Sequence, residues 1–162
     1  MVNFSVTQNG KELDPSLYYW NETELIFHTN QENLILNFYM YDNVMFKTGS
    51  HCTFIADSWC SFRTGSYCTF ITGSENVFDT GYECIYQSLH DSVVNYVGYN
   101  GTHVYKLPEN KIVRMNYDGS LEDVKEIQIE NVEIKNEFVI LKGYKREFIY
   151  NIQTEKKNDR SF

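Results

Sequence analysis

Phe46 to Tyr86 reads in eights: FKTGSHCT (46–53), FIADSWCS (54–61), FRTGSYCT (62–69), FITGSENV (70–77), FDTGYECI (78–85) and Tyr86. An aromatic residue recurs at Phe46, Phe54, Phe62, Phe70, Phe78 and Tyr86. A cysteine recurs at Cys52, Cys60, Cys68 and Cys84, with Asn76 at the missed step. The steps Gly49-Ser50, Asp57-Ser58, Gly65-Ser66, Gly73-Ser74 and Gly81-Tyr82 mark the corners. A unit this short cannot bury its own apolar face, so a fixed period of this kind predicts a solenoid in which each coil covers the next.

Side chains alternate across a strand, so in x-Cys-Thr-Phe-x-Thr the cysteine, the phenylalanine and the second threonine share one face. The large apolar member turns that face inward. The expected core is Phe46, Cys52, Phe54, Cys60, Phe62, Cys68, Phe70, Phe78, Cys84 and Tyr86. Glycine at the corner is expected to supply φ > 0. Two octads would make a flattened coil of about 16 residues with two parallel sheets, and three would make a triangular one. Two are favoured, because one large and two small inward residues per strand fill a narrow slot. With coils about 4.8 Å apart, roughly three and a half of them give a stub on the order of 17 Å long.

The period extends backwards: Leu36, Phe38 and Met40 stand eight residues before Val44, Phe46 and Thr48. The fold expected is therefore all-β, with four regions. Residues 1–34 form an N-terminal β cap with an Asn9-Gly10 hairpin signal. Residues 35–91 form the octapeptide-repeat β-solenoid. Residues 92–154 form a C-terminal β-strand region with runs at Ser92–Val97, Thr102–Leu107, Lys111–Asn116, Glu126–Ile134, Phe138–Leu141 and Phe148–Ile152, and turns at Tyr99-Asn100-Gly101 and Lys142-Gly143-Tyr144. A short helix is conceivable only over Leu121–Lys125, and residues 155–162 read as a disordered polar tail.

Two octads per coil give two outer faces. One gathers Ile35, Asn37, Tyr39, His51, Thr53, Ile55, Tyr67, Thr69, Ile71, Glu83, Ile85 and Gln87. The other gathers Asn43, Met45, Lys47, Trp59, Ser61, Arg63, Glu75, Val77 and Asp79. The first is apolar for an outer surface. Such a patch calls for a cover, whether the C-terminal strands, a second copy or a target. Tyr39, His51, Ile55, Tyr67, Ile71, Ile85, Trp59, Lys47 and Arg63 are accordingly the candidate partner or oligomer contacts.

The net charge of −8 argues against nucleic acid, which needs a basic face to neutralise phosphate. No apolar run approaches the roughly 18 residues of a membrane span, and the first residues show no secretory leader. The expectation is a cytoplasmic protein with reduced thiols. Cysteines a multiple of eight apart lack the close pairing of zinc ligands and read as core filler, so neither metal nor cofactor is expected. His90-Asp91 beside Ser88 and Ser92 invites a hydrolase reading, but no strained G-x-S-x-G turn occurs. Evenly spaced threonines bring ice-binding solenoids to mind, yet the second threonine of each octad points inward. No catalytic residue is assigned, and the chain reads as a non-enzyme.

T-G-[SY]-x-C-T-F octads between a short aromatic segment and a β-rich segment resemble a group of small proteins encoded by bacteriophages and large viruses. The resemblance covers residues 36–86 and supplies no site residue. Small size, acidity, reduced thiols and a rigid presenting surface lead to the expectation of a non-enzymatic binding protein, phage-encoded on this resemblance, that inhibits or sequesters a host protein. The alternative is a small virion or assembly component that oligomerises through its solenoid.

Overall fold

The computed structural model describes residues 3–98 and 101–125. Within them the strands are β1 (Ser5–Gln8), β2 (Lys11–Glu12), β3 (Tyr19–Asn21), β4 (Ile26–His28), β5 (Leu34–Phe38), β6 (Met45–Lys47), β7 (Thr53–Ala56), β8 (Ser61–Arg63), β9 (Thr69–Ile71), β10 (Val77–Thr80), β11 (Cys84–Ser88), β12 (Val93–Gly98), β13 (Gly101–Lys106), β14 (Lys111–Met115) and β15 (Leu121–Asp123). A single 3-10 turn covers Pro15–Leu17. The chain is a β-solenoid of about four turns with coils of about 16 residues.

Consecutive octads go to opposite sheets. The first sheet has the order β15-β14-β11-β9-β7-β5-β1-β2, with β5, β7, β9 and β11 parallel. The second has the order β13-β12-β10-β8-β6-β4-β3, with β4, β6, β8, β10 and β12 parallel. The parallel stack therefore begins at Ile26 and ends at Gly98, wider on both sides than residues 35–91. Antiparallel strands close its ends: β1 and β3 before it, β13 and β14 after it. Leu121–Asp123 is a strand paired with β14, not a helix. The strands expected between Glu126 and Ile152, the Tyr99-Asn100 turn positions and the tail lie outside the described residues.

The interior is a herringbone of rings. Phe46, Phe62 and Phe78 stack along the second sheet, at 4.9 and 5.0 Å between centroids. Phe54, Phe70 and Tyr86 stack along the first, at 5.1 and 5.4 Å. The two columns meet edge to face, as Phe54 and Phe62 do at 5.3 Å. The ten residues expected in the core are all buried. At the N-terminal end Phe4 lies flat on Phe38 at 4.3 Å, and Trp20 and Tyr41 pack around it.

Two details differ from the expected repeat. The early spacing is uneven: Phe27 pairs with Phe46, nineteen residues on, and Leu36 pairs with Phe54, eighteen on. A longer turn after Phe38, closed by Tyr41 N–H donating to the Phe38 carbonyl, absorbs two of the extra residues and leaves Met40 exposed; the third falls between Phe27 and Leu36. Leu36 and Phe38 thus face inward, but not in register with Val44 and Phe46.

The corners differ more. None of the octad glycines has a positive φ. The left-handed residue is instead the one before each inward cysteine or its substitute: His51, Trp59, Tyr67, Glu75, Glu83 and Asp91, with φ from 57° to 61°. Glycine serves a close approach. A Cβ on Gly65 would lie 2.2 Å from Ser50 Oγ, and one on Gly73 would lie 2.5 Å from Ser58 Oγ. Those hydroxyls accept from the next coil, Ser50 Oγ from Ser66 N–H at 3.0 Å and Ser58 Oγ from Ser74 N–H at 2.9 Å.

Candidate interaction surface

The same octad register that fills the interior deals out the exterior. On the first sheet the outward column is Asn37, Ile55, Ile71 and Gln87. Ile55, Ile71 and Gln87 have no exposed surface in the single chain, and Tyr39 is 8 % exposed. Ile55 and Ile71 therefore offer no contact area to another molecule. Ile35, Thr53, Thr69 and Ile85 form the neighbouring, half-buried column. The longer first turn takes Tyr39 out of line with Ile55, which pairs with Asn37.

His51, Tyr67 and Trp59 belong to neither face. Their left-handed backbone places them on the edges of the coil. His51 and Tyr67 lie on one edge and stack at 5.0 Å. Tyr82 meets Tyr67 edge-on at 5.6 Å, and Tyr117 meets Tyr82 at 5.0 Å, extending the aromatic line toward the C-terminal strands. Trp59, 54 % exposed, stands on the opposite edge with Asn43, Glu75 and Asp91.

The second sheet has an open outer face. One row runs Ile26, Met45, Ser61, Val77; the next runs His28, Lys47, Arg63, Asp79, Asn95. Met45 is 54 % and Val77 44 % exposed. These residues line a shallow groove of about 510 Å³. Tyr19, on the strand beyond Ile26–His28, stacks its ring on that of His28 at 4.9 Å. Arg63 Nε lies 3.5 Å from Asp79 Oδ2, with both side chains more than half exposed, a pair worth under about 1 kcal/mol. Lys47 and Arg63 were legible as members of this face. Ile26, His28 and Tyr19 were not, because the nineteen-residue step takes them out of the octad count.

The cysteines do more than fill space. Cys52 N–H donates to Cys68 Sγ at 3.5 Å, and Cys68 N–H to Cys84 Sγ at 3.4 Å. In the other column Cys60 N–H donates to Asn76 Oδ1 at 2.7 Å, and Asn76 N–H to Ser92 Oγ at 3.0 Å. Each inward side chain thus accepts from the backbone one coil earlier. Burial pushes the Cys60 thiol up to about 12, so at neutral pH it is protonated and a poor nucleophile. Among the described residues no group of three or more His, Cys, Asp and Glu side chains is placed to hold a metal.

The His90-Asp91 pair is real, Nδ1 to Oδ2 at 3.1 Å, and Lys106 joins it at 3.3 Å from Asp91 Oδ1. It is an exposed ion cluster. The Ser88 hydroxyl is buried and bonds to the Gly73 carbonyl at 2.9 Å and to the Ser92 hydroxyl at 2.5 Å. Among the described residues no side-chain hydrogen bond joins a serine hydroxyl to a histidine ring. No helix among them is long and apolar enough to cross a membrane. No protein-family model, curated protein or solved structure matches the chain.

Proposed function

We propose that the protein is a non-enzymatic binding module which holds a protein partner against the open outer face of its second sheet. One observation carries this reading. The two outer faces share one backbone geometry, yet the first buries Ile55 and Ile71 completely while the second leaves Met45 and Val77 half in water beside Lys47 and Arg63. Single exposed apolar residues need no explanation. A row of them on a rigid, flat sheet, flanked by charge, has the anatomy of an interface: apolar contact with a polar rim. A parallel stack pinned by interior rings holds the backbone of such a row in place, so binding orders only its side chains.

The resemblance of the octads to bacteriophage and large-virus proteins makes a host protein the partner to look for, and inhibition or sequestration the expected consequence. The test is co-purification of tagged protein from host cytosol, in parallel for the wild type and for Val77→Asp. A stoichiometric partner retained by the wild type and lost by a folded Val77→Asp protein supports the module and its face. A partner retained equally by both removes this face from the reading.

A further inference from the structure

Lys47 and Arg63 are the only lysine or arginine residues between Lys11 and Lys106. The same stretch carries eleven acidic residues: Glu12, Asp14, Glu22, Glu24, Glu32, Asp42, Asp57, Glu75, Asp79, Glu83 and Asp91. Sixteen residues separate the two cations in the chain, yet the register sets Lys47 directly beside Arg63 and His28 directly beside Lys47. All three are exposed and line the groove. Lys47 makes no ion pair among the described residues, and the Asp79 partner of Arg63 is itself half in water, so a ligand carboxylate can replace it. Between Glu12 and Tyr105 the lysine and arginine charge thus lies at one place, next to the exposed apolar row.

Resting on the binding module proposed above, we infer that the segment of the partner seated in this groove is an acidic amphipathic helix, its carboxylates meeting His28, Lys47 and Arg63 and its apolar side chains meeting Ile26, Met45 and Val77. Spacing selects the helix. Neighbouring cations sit on adjacent strands, about 4.8 Å apart. A helix running along the solenoid axis presents side chains at i, i+3 and i+4, rises of roughly 4.5 to 6 Å. An extended strand repeats on one side every ~6.8 Å and falls out of step. The apolar row lies two residues away along each strand, about 7 Å, within the width of one helix face. Nucleic acid fits poorly: its phosphates gain nothing from Met45 and Val77, and the net charge of −8 repels it.

The probe is a 20-residue helical peptide with glutamates at i, i+3, i+7 and i+10 and leucines on the adjoining stripe. A scrambled peptide of the same composition, heparin and a 20-nucleotide oligo-dT serve as controls. The expected result is amide chemical-shift changes confined to the groove strands around His28, Met45, Lys47 and Arg63. Affinity should fall at least tenfold in the Lys47→Glu/Arg63→Glu double variant and weaken with added salt. Unchanged thermal unfolding of that variant shows that the loss is not misfolding. Absence of shifts at millimolar probe, shifts elsewhere, an unchanged affinity in the double variant, or equal binding of any control overturns the inference. In the cytosol experiment, a partner lost by Val77→Asp but kept by Lys47→Glu/Arg63→Glu removes the acidic helix and leaves the binding module standing. A partner kept by both removes this face from the reading, and the acidic helix with it.

Discussion

The residue after each interior aromatic sits at one position of the octad and alternates in kind. On the first sheet it is Ile55, Ile71 and Gln87, each completely buried; on the second it is Lys47, Arg63 and Asp79, each exposed. The backbone is the same, the inward neighbours are the same rings, and the hydrogen bonds between coils are the same parallel ladder. What differs is octad parity. The period determines that a coil forms, whereas the outward residue follows the side of the coil, isoleucine or glutamine where the face is closed and charged where it is open. The sharpest way to break this comparison is to truncate matched positions. Ile71→Ala is expected to cost about 2–5 kcal/mol, as a buried isoleucine does. Arg63→Ala, at the same octad position on the open face, is expected to change stability by less than about 0.5 kcal/mol. Denaturant unfolding of both against the wild type checks the pair, and equal losses would end the distinction between a closed and an open face.

The coil was readable from residues 46–86 because its two causes are local. Inward positions must alternate large and small to fill a slot, and the spacing of the rings shows how many residues close a turn. The apolar character of the first face was also visible, in the isoleucines of alternate octads, but not that Ile55 and Ile71 are closed off within the single chain rather than offered to a partner. Three further features were hidden, each for a non-local reason. The steps of nine and ten residues before Phe46 are set by turn length, not by composition, so Tyr19, Ile26 and His28 gave no sign of joining Lys47 and Arg63. The left-handed corner falls on residues such as Trp59 and Glu75, whose types carry no turn preference; the coil imposes on them a conformation that costs an L-residue about 1–2 kcal/mol. The glycines answer to a hydroxyl fifteen residues earlier in the chain.

That last point yields the second test, which acts on both faces alike because the corners join the two sheets. Gly65→Ala would drive a methyl group against Ser50 Oγ and is expected to cost about 1–3 kcal/mol, the usual penalty of overpacking. In a Ser50→Ala background the same change should cost distinctly less, since the clashing oxygen is gone and the remaining approaches, 3.2 Å to the Ser50 Cβ and to its backbone nitrogen, are tight but milder. The double-mutant cycle separates this explanation from a demand for unusual backbone. If Gly65→Ala costs the same with and without the serine hydroxyl, conformation is the reason for glycine and the close contact is incidental.

The smallest effect concerns how far the two sheets are alike inside. The inward column Cys52, Cys68, Cys84 is uniform, whereas its counterpart runs Cys60, Asn76, Ser92. Asn76 Oδ1 does what the thiols do elsewhere, accepting from the backbone one coil earlier, but its amide also brings an N–H₂ group that is buried without a hydrogen-bond partner. An unmet buried donor costs about 1–3 kcal/mol. Asn76→Cys removes that donor and puts in its place a thiol that, at the equivalent positions, both accepts from backbone N–H and reaches a carbonyl of the same corner, as Cys60 Sγ reaches the Ser58 oxygen at 3.5 Å. The exchange also trades a 2.7 Å bond to oxygen for a weaker one to sulfur, so the expected net gain is only about 1 kcal/mol, seen as a higher denaturant midpoint at unchanged slope. Asn76→Ala isolates the other half of the balance: it removes the orphan donor but strips Cys60 N–H of its acceptor, and it should be destabilising. A loss of stability in Asn76→Cys would mean that the amide oxygen outweighs the orphan nitrogen, and that the two inward columns are matched in shape but not in chemistry.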